Sequence, residues 1–207
     1  MRLLVASGNA GKVRELRRLL SPLAGVELIG LADVAPLPEV VEDAETFEGN
    51  AAKKARQTAL ASGLPTLADD SGLEVDALGG APGVRSARYA GQHGDDEANN
   101  DRLLAELAGV PDEARTARFR CALAFADPAG PLGDEVLVVH GVVEGHITRA
   151  RRGAHGFGYD PLFQLAGDAR TTAELSPEEK NAVSHRADAA RKMRVRLRDY
   201  LSKREDA

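Results

Sequence analysis

The strongest constraint on the fold lies in the first twenty residues. A short apolar run, Arg2 to Ala6, leads through the loop SGNAGK into a stretch whose apolar residues recur at helical spacing. Val13, Leu16 and Leu20 share one face there, while Arg14, Glu15, Arg17 and Arg18 turn largely to water, so a buried strand feeds an amphipathic helix. The alternation continues with a strand around Val26 to Leu31 and the loop PLPEVVEDAE. Thr46 is then expected to N-cap an alanine-rich helix that reaches about Ser62 and ends at Gly63 and Pro65. Leu64 to Ala68 reads as a third short strand, closed by DDSG.

After the ordered loop LGGAPGV and a helix over Asp95 to Leu107 the pattern changes. Two β-rich runs, Ala117 to Ala126 and Glu135 to Ile147, are joined by DPAGPLGD, a hairpin signal. GAHGFGYDPLF reads as a loop entering a strand, and SPEEK as a capping box with Ser176 as cap and Glu179 at the third helical position. A last helix follows Ser184, with Ala190, Met193, Leu197 and Leu201 on its apolar face. The expected class is α/β with a mixed sheet, folded as one domain over residues 1–207 with a cleft. The chain carries no internal repeat, low-complexity segment or flexible linker.

Composition narrows the function. A net charge of −5 argues against a nucleic-acid backbone as the partner, which requires a basic surface, but permits a small phosphorylated ligand. Cys121 is the single cysteine, so no internal disulfide or thiolate cluster can form, and its place in an apolar run reads as a buried strand cysteine rather than a reactive thiol. The apolar stretch of MRLLVAS is too short for a signal peptide, and no run could span a bilayer; a soluble cytoplasmic protein without membrane partners is the expectation.

Four groups of residues could carry chemistry. The loop Ser7 to Lys12 places backbone N–H groups at a helix start, which attracts anions, and an anionic ligand would reconcile Lys12 with the helix dipole. It is not a Walker A loop, because Ala6 replaces its first glycine and Val13 its Ser or Thr. A plain Gly/Asn turn with a surface lysine would account for the loop as well. Asp69 and Asp70 follow an apolar strand, where carboxylates could hold magnesium, which takes one or two protein carboxylates plus substrate phosphates. An Asx-type turn is the competing reading of DDSG. Of the acids Glu39, Glu42, Asp43 and Glu45, one at most is expected to be a ligand.

Aromatic residues are concentrated. The chain has three Tyr and five Phe, yet Phe157, Tyr159 and Phe163 share one seven-residue window. Gly156 and Gly158 flank Phe157, whose ring could then stack a base, while Phe163 reads as core. Lys180, His185 and Arg186 form the last group, with His185 expected to be neutral beside Arg186, whose planar fork suits a phosphate or a purine carbonyl. Histidine spacing gives no zinc motif.

In order along the chain, SGNAGK, TFEGNAAKKA, ADDSGLEVDALGGAPGVRSARYAG, GFGYDPLF and KNAVSHRA resemble the inosine/xanthosine triphosphate pyrophosphatase family. The likeness runs from Leu4 to about Ala187, and the block from Ala68 to Gly91 is its most specific part. It implies an elongated mixed β-sheet flanked by helices, two lobes around a central active-site cleft, and a homodimer. It also implies magnesium-dependent hydrolysis of ITP, dITP or XTP to the monophosphate and pyrophosphate. Carried over by resemblance, Ser7, Gly8, Asn9, Ala10, Gly11 and Lys12 bind the triphosphate and Ser71 touches substrate. Asp70 becomes metal ligand and proton acceptor, with Glu42 as a second ligand. Phe157, Gly158, Tyr159 and Asp160 line the base pocket, and Lys180, His185 and Arg186 complete it and read the 6-oxo group.

Two positions depart from the family pattern. Val41 stands where a second glutamate is usual, and Gly49 replaces the acid before Asn50, which should weaken the helix start by roughly 0.5–1 kcal/mol relative to alanine. The rival readings are a Maf-like nucleotide pyrophosphatase, whose serine-proline-arginine signature is missing from the first loop, and a non-catalytic nucleotide sensor.

Overall fold

The computed structural model describes residues 1–205. The strands are β1 (Arg2–Val5), β2 (Glu27–Gly30), β3 (Thr66–Val75), β4 (Thr116–Ala126), β5 (Val136–Ile147) and β6 (Phe163–Leu165). The helices are α1 (Ala10–Leu20), α2 (Phe47–Ser62), α3 (Asp96–Glu106), α4 (Pro177–Val183) and α5 (His185–Glu205). Hydrogen-bonded strand order is β2-β1-β3-β4-β5-β6. β1 pairs in parallel with β2 and β3, and β5 pairs antiparallel with β6, so the sheet is mixed as expected. The chain divides into two units. The first comprises Met1 to Asp70, Cys121 to Gly141 and the chain from Arg186 onward; the second comprises Ser71 to Arg120 and Val142 to His185.

The first unit has a different packing chemistry on each sheet face. On one face Leu3, Val5, Leu67, Cys121, Leu123 and Phe125 meet Leu16 and Leu20 of α1 and Met193 and Leu197 of α5. On the other, Ala6, Ala68, Ala122, Ala124 and Ala126 meet Ala51, Ala55 and Ala59 of α2. Those three alanines are four residues apart, on one stripe of the helix, and small residues on both sides let the backbones approach closely. Strand side chains alternate between faces, so Leu67 and Ala68 take the two sides in turn.

α2 begins and ends as its sequence predicts. Thr46 accepts from Gly49 N–H at 3.0 Å, and Gly63 closes the helix in the left-handed region. The glycine at 49 has a local cause: a Cβ there would stand 2.8 Å from Ala44 Cβ.

In the second unit Leu73, Val75, Leu103, Leu107, Phe119, Tyr159, Leu162 and Phe163 form the core, with the Phe119 and Phe163 rings 4.6 Å apart. Arg115 is buried there and donates to the carbonyls of Leu107, Ile147 and Thr148. No helix among the described residues is long and apolar enough to cross a membrane.

One expectation is corrected. DDSG does not close a short strand; β3 runs through it to Val75. Asp and Ser form turns when their side chains bond nearby backbone or water. Here Leu73 and Val75 are buried beyond them, and Asp69 finds its partners on other elements, so the backbone stays extended.

The alanine interface makes a direct prediction. Ala55→Leu should overpack it and lower stability by about 1–3 kcal/mol, read as a lower urea midpoint at unchanged slope.

Candidate functional site

In the first unit the site grows from the joint between β1 and α1. Asn9 caps α1 by accepting the Lys12 N–H at 3.1 Å, and Ser7 Oγ accepts the Asn9 N–H at 3.2 Å. This sets the loop before Ala10 and sends the Lys12 side chain to Asp69, Nζ to Oδ1 at 2.6 Å. Asp69 is wholly buried, and its Oδ2 accepts from Arg186 Nε at 3.2 Å and from Cys121 Sγ at 3.1 Å. Arg186, at the start of α5 and 1% exposed, also pairs with Glu15 of α1.

The electrostatics follow from that cluster. Burial pushes the Asp69 carboxyl up, but Arg186 and then Lys12 outweigh it and hold the group well below the usual carboxylate range. Burial likewise opposes charge on Arg186, and Asp69 and Glu15 keep it ionised. The Cys121 thiol is pushed up by burial and by the Asp69 charge, so it is no nucleophile.

Asp70 points to the opposite face of β3, and its surroundings differ completely. It is 6% exposed, and its Oδ2 is buried without a hydrogen-bond partner. Burial lifts its pKa to about 6; Glu42 adds to the rise, while Lys12, Lys54 and Asn50 hold it back. Asn50 and Lys54 are one turn apart on α2 and therefore share a face. Asn50 Oδ1 accepts the Ala44 N–H at 2.9 Å, and Lys54 Nζ meets Glu42 Oε1 at 2.5 Å. Glu42 is half-buried, whereas Glu39, Asp43 and Glu45 are exposed, so of the four acids only Glu42 comes into this group.

The donor set suits magnesium in a particular way. Among the described residues no group of three or more His, Cys, Asp or Glu could by itself hold a metal. One buried carboxylate with an unpartnered oxygen, and a second nearby, match an ion that takes its remaining ligands from phosphate and water.

In the second unit the aromatic loop is organised by Asp160. Its Oδ2 accepts the Phe157 N–H at 2.9 Å and Lys180 Nζ at 2.6 Å, while Oδ1 accepts Thr172 Oγ1 at 2.8 Å. Gly156 has φ +83°, and any Cβ there would run into the Asp160 carboxylate. α4 presents Lys180 after the expected Ser176–Glu179 capping box, and its Nζ lies 4.7 Å from the Phe157 ring centroid. His185 is stacked on Phe119, with 4.9 Å between ring centroids and 15° between planes. Tyr159 and Phe163 are core residues, Tyr159 donating its hydroxyl to Ser86 O at 2.9 Å.

The expected site residues thus fall into two groups, with Ser7 to Lys12, Glu42, Asp70 and Arg186 in the first unit and Ser71, Phe157 to Asp160, Lys180 and His185 in the second. The boundary runs inside the motifs, between Asp70 and Ser71 and between His185 and Arg186. In the structure the Arg186 guanidinium is committed to two carboxylates, and a part in base reading would require it to leave one of them. Glu15, expected to turn to water, is instead half-buried against Arg186, and sequence reasoning passed over Asn50, Lys54 and Thr172. The i, i+4 spacing of Asn50 and Lys54 was a usable signal; Thr172 had none.

The family model of the Ham1 family matches residues 3–196. The chain belongs to the Ham1 family. It is 54% identical over 190 residues to the dITP/XTP pyrophosphatase of Mycobacterium tuberculosis, covering 91% of each chain. To that of Bacillus subtilis it is 48% identical, covering 92% of this chain and 93% of the relative. Among solved Ham1 family structures, the Staphylococcus aureus Ham1 protein matches with TM-score 0.83 at 37% identity, covering 96% of this chain and 99% of that one. A HAM1 protein from Coxiella burnetii gives TM-score 0.83 at 41% identity over 96% and 99%.

Two adjacent substitutions should act with opposite sign on stability. The Asp70 carboxyl has a raised pKa in the fold, so its ionisation costs nothing below about pH 3.8 and its full penalty above about pH 6. Metal-free Asp70→Asn should therefore gain roughly 3 kcal/mol at pH 7.5 and little at pH 4. Asp69→Asn leaves a buried guanidinium short of a partner and should lose about 3–5 kcal/mol at pH 7.5. Urea unfolding in EDTA at both pH values measures both effects.

Proposed function

We propose that the chain hydrolyses ITP, dITP and XTP to the nucleoside monophosphate and pyrophosphate in a magnesium-dependent reaction. The observation that carries this reading is Asp70, a buried carboxylate with a free oxygen beside Lys12 and Lys54. It gains weight from the 48–54% identity to dITP/XTP pyrophosphatases over nine-tenths of the chain.

The triphosphate is held by the N–H groups at the start of α1 together with Lys12. Asp70, with Glu42, would hold magnesium, which when bound supplies positive charge to the phosphate oxygens. Asp70 Oδ2 accepts a proton from the water that attacks the α-phosphorus, and the bond from that phosphorus to the bridging oxygen breaks to release pyrophosphate. A carboxyl poised near pH 6 is suited to that transfer.

The base stacks on Phe157, and Lys180 and His185 face its 6-oxo edge with Arg186 next in the chain. A 6-amino base presents donors where Lys180 also donates, which leaves polar groups unpaired and disfavours ATP. The resemblance further implies a homodimer, which sedimentation would test.

Pyrophosphate release from ITP with magnesium, against EDTA, tests the reading directly; no release would leave only a nucleotide sensor. Asp70→Asn should lower kcat by about 10²–10⁴ while remaining folded. The kcat/KM for ITP should exceed that for ATP by about 10²-fold or more, and equal values would refute base reading.

A further inference from the structure

The Phe157–Asp160 loop is gripped by a helix that none of the roles above employs. Asp96 and Asn100 stand one turn apart on α3 and reach the same residue from two sides. Asp96 Oδ2 accepts the Gly158 N–H at 2.7 Å, and Asn100 Nδ2 donates to Gly158 O at 2.9 Å. Asn100 Nδ2 shares itself between the loop and its own helix, donating also to Asp96 O at 2.8 Å, whereas the Asp96 side chain is not needed as a helix cap. The cap of α3 is Asp95, whose Oδ1 accepts the Ala98 N–H at 3.0 Å, so the Asp96 carboxylate is available to the loop. Asn100 is 1% exposed, and its Oδ1 is buried without a partner. A leucine at that place would bury no such acceptor, so the amide is retained for what its nitrogen holds.

The consequence falls on Phe157. Its own N–H is fixed by Asp160, and the peptide that follows it is fixed through the Gly158 N–H by Asp96. With both flanking peptide planes anchored, φ and ψ of Phe157 are set, and with them the direction in which its ring leaves the backbone. Gly158, at φ +62°, supplies the left-handed turn this requires.

We propose that Asp96 and Asn100 are positioning residues for base recognition, orienting the stacking ring of Phe157 without touching substrate. The proposal rests on the base-site reading of Phe157 given above. It differs from a general structural role in what it leaves alone: the phosphate-binding residues belong to the other unit.

The chain has no tryptophan, so Phe157→Trp installs a single fluorescent reporter at the ring itself. Inosine monophosphate should change its emission on binding. Adding Asp96→Ala should raise the dissociation constant about tenfold, the size of one lost hydrogen bond to a charged group. In the Phe157 enzyme the same substitution should raise KM for ITP more than it lowers kcat, with inhibition by inorganic tripolyphosphate unchanged. Asp96→Asn keeps an acceptor oxygen and should restore affinity to within about threefold. An unchanged inosine monophosphate midpoint in Asp96→Ala would overturn the clamp alone, as would equal weakening of inosine monophosphate and tripolyphosphate. No response from Phe157→Trp itself would overturn the base-site reading and the clamp with it.

Discussion

A buried carboxylate between a buried guanidinium and a half-buried ammonium is the interaction on which the first unit depends. Lys12 and Arg186 meet on Asp69, and Glu15 returns to Arg186, so the starts of α1 and α5 are tied to the middle of β3. Burying the carboxylate and the guanidinium separately would be prohibitive; together, with hydrogen bonds on both carboxylate oxygens, Asp69 and Arg186 stay ionised. The same ties hold Lys12 in place at a helix N-terminus, where its charge is otherwise unfavourable. An anion arriving there meets a cation already fixed by the fold.

The neighbouring carboxylate has the opposite environment because β3 alternates. Asp69 faces the layer that holds α1 and α5, and Asp70 faces the alanine layer under α2. One residue of register therefore separates a neutralised carboxylate from one that keeps an oxygen free. Asp70 carries a burial cost of the kind that functional sites retain, only partly eased by Lys12 and Lys54.

In the second unit the economy is different. Asp160 is the hub, a buried acid whose oxygens are taken by Phe157 N–H, Lys180 and Thr172. It shapes the loop and places the ammonium beside the aromatic ring. The carboxylate that was expected to line a base pocket is itself engaged by the loop, Thr172 and Lys180.

Much was legible in the sequence because it was local. Helix starts at Asn9, Thr46, Asp95 and Ser176 are set by side chains bonding backbone within three residues, and turn residues mark the hairpin. The motifs named the family, and the lone cysteine was correctly read as a buried strand residue. DDSG was expected to close a short strand, because its local chemistry is that of a turn and the partners that keep it extended lie far along the chain. Only the tertiary structure decided that Asp69 is spent on Lys12 and Arg186, 57 and 117 residues away, while Asp70 keeps an oxygen free. The sequence by itself determined which residues could carry charge and where elements begin. Which carboxylate is neutralised depends on what packs against each face of β3, and that is a property of the fold.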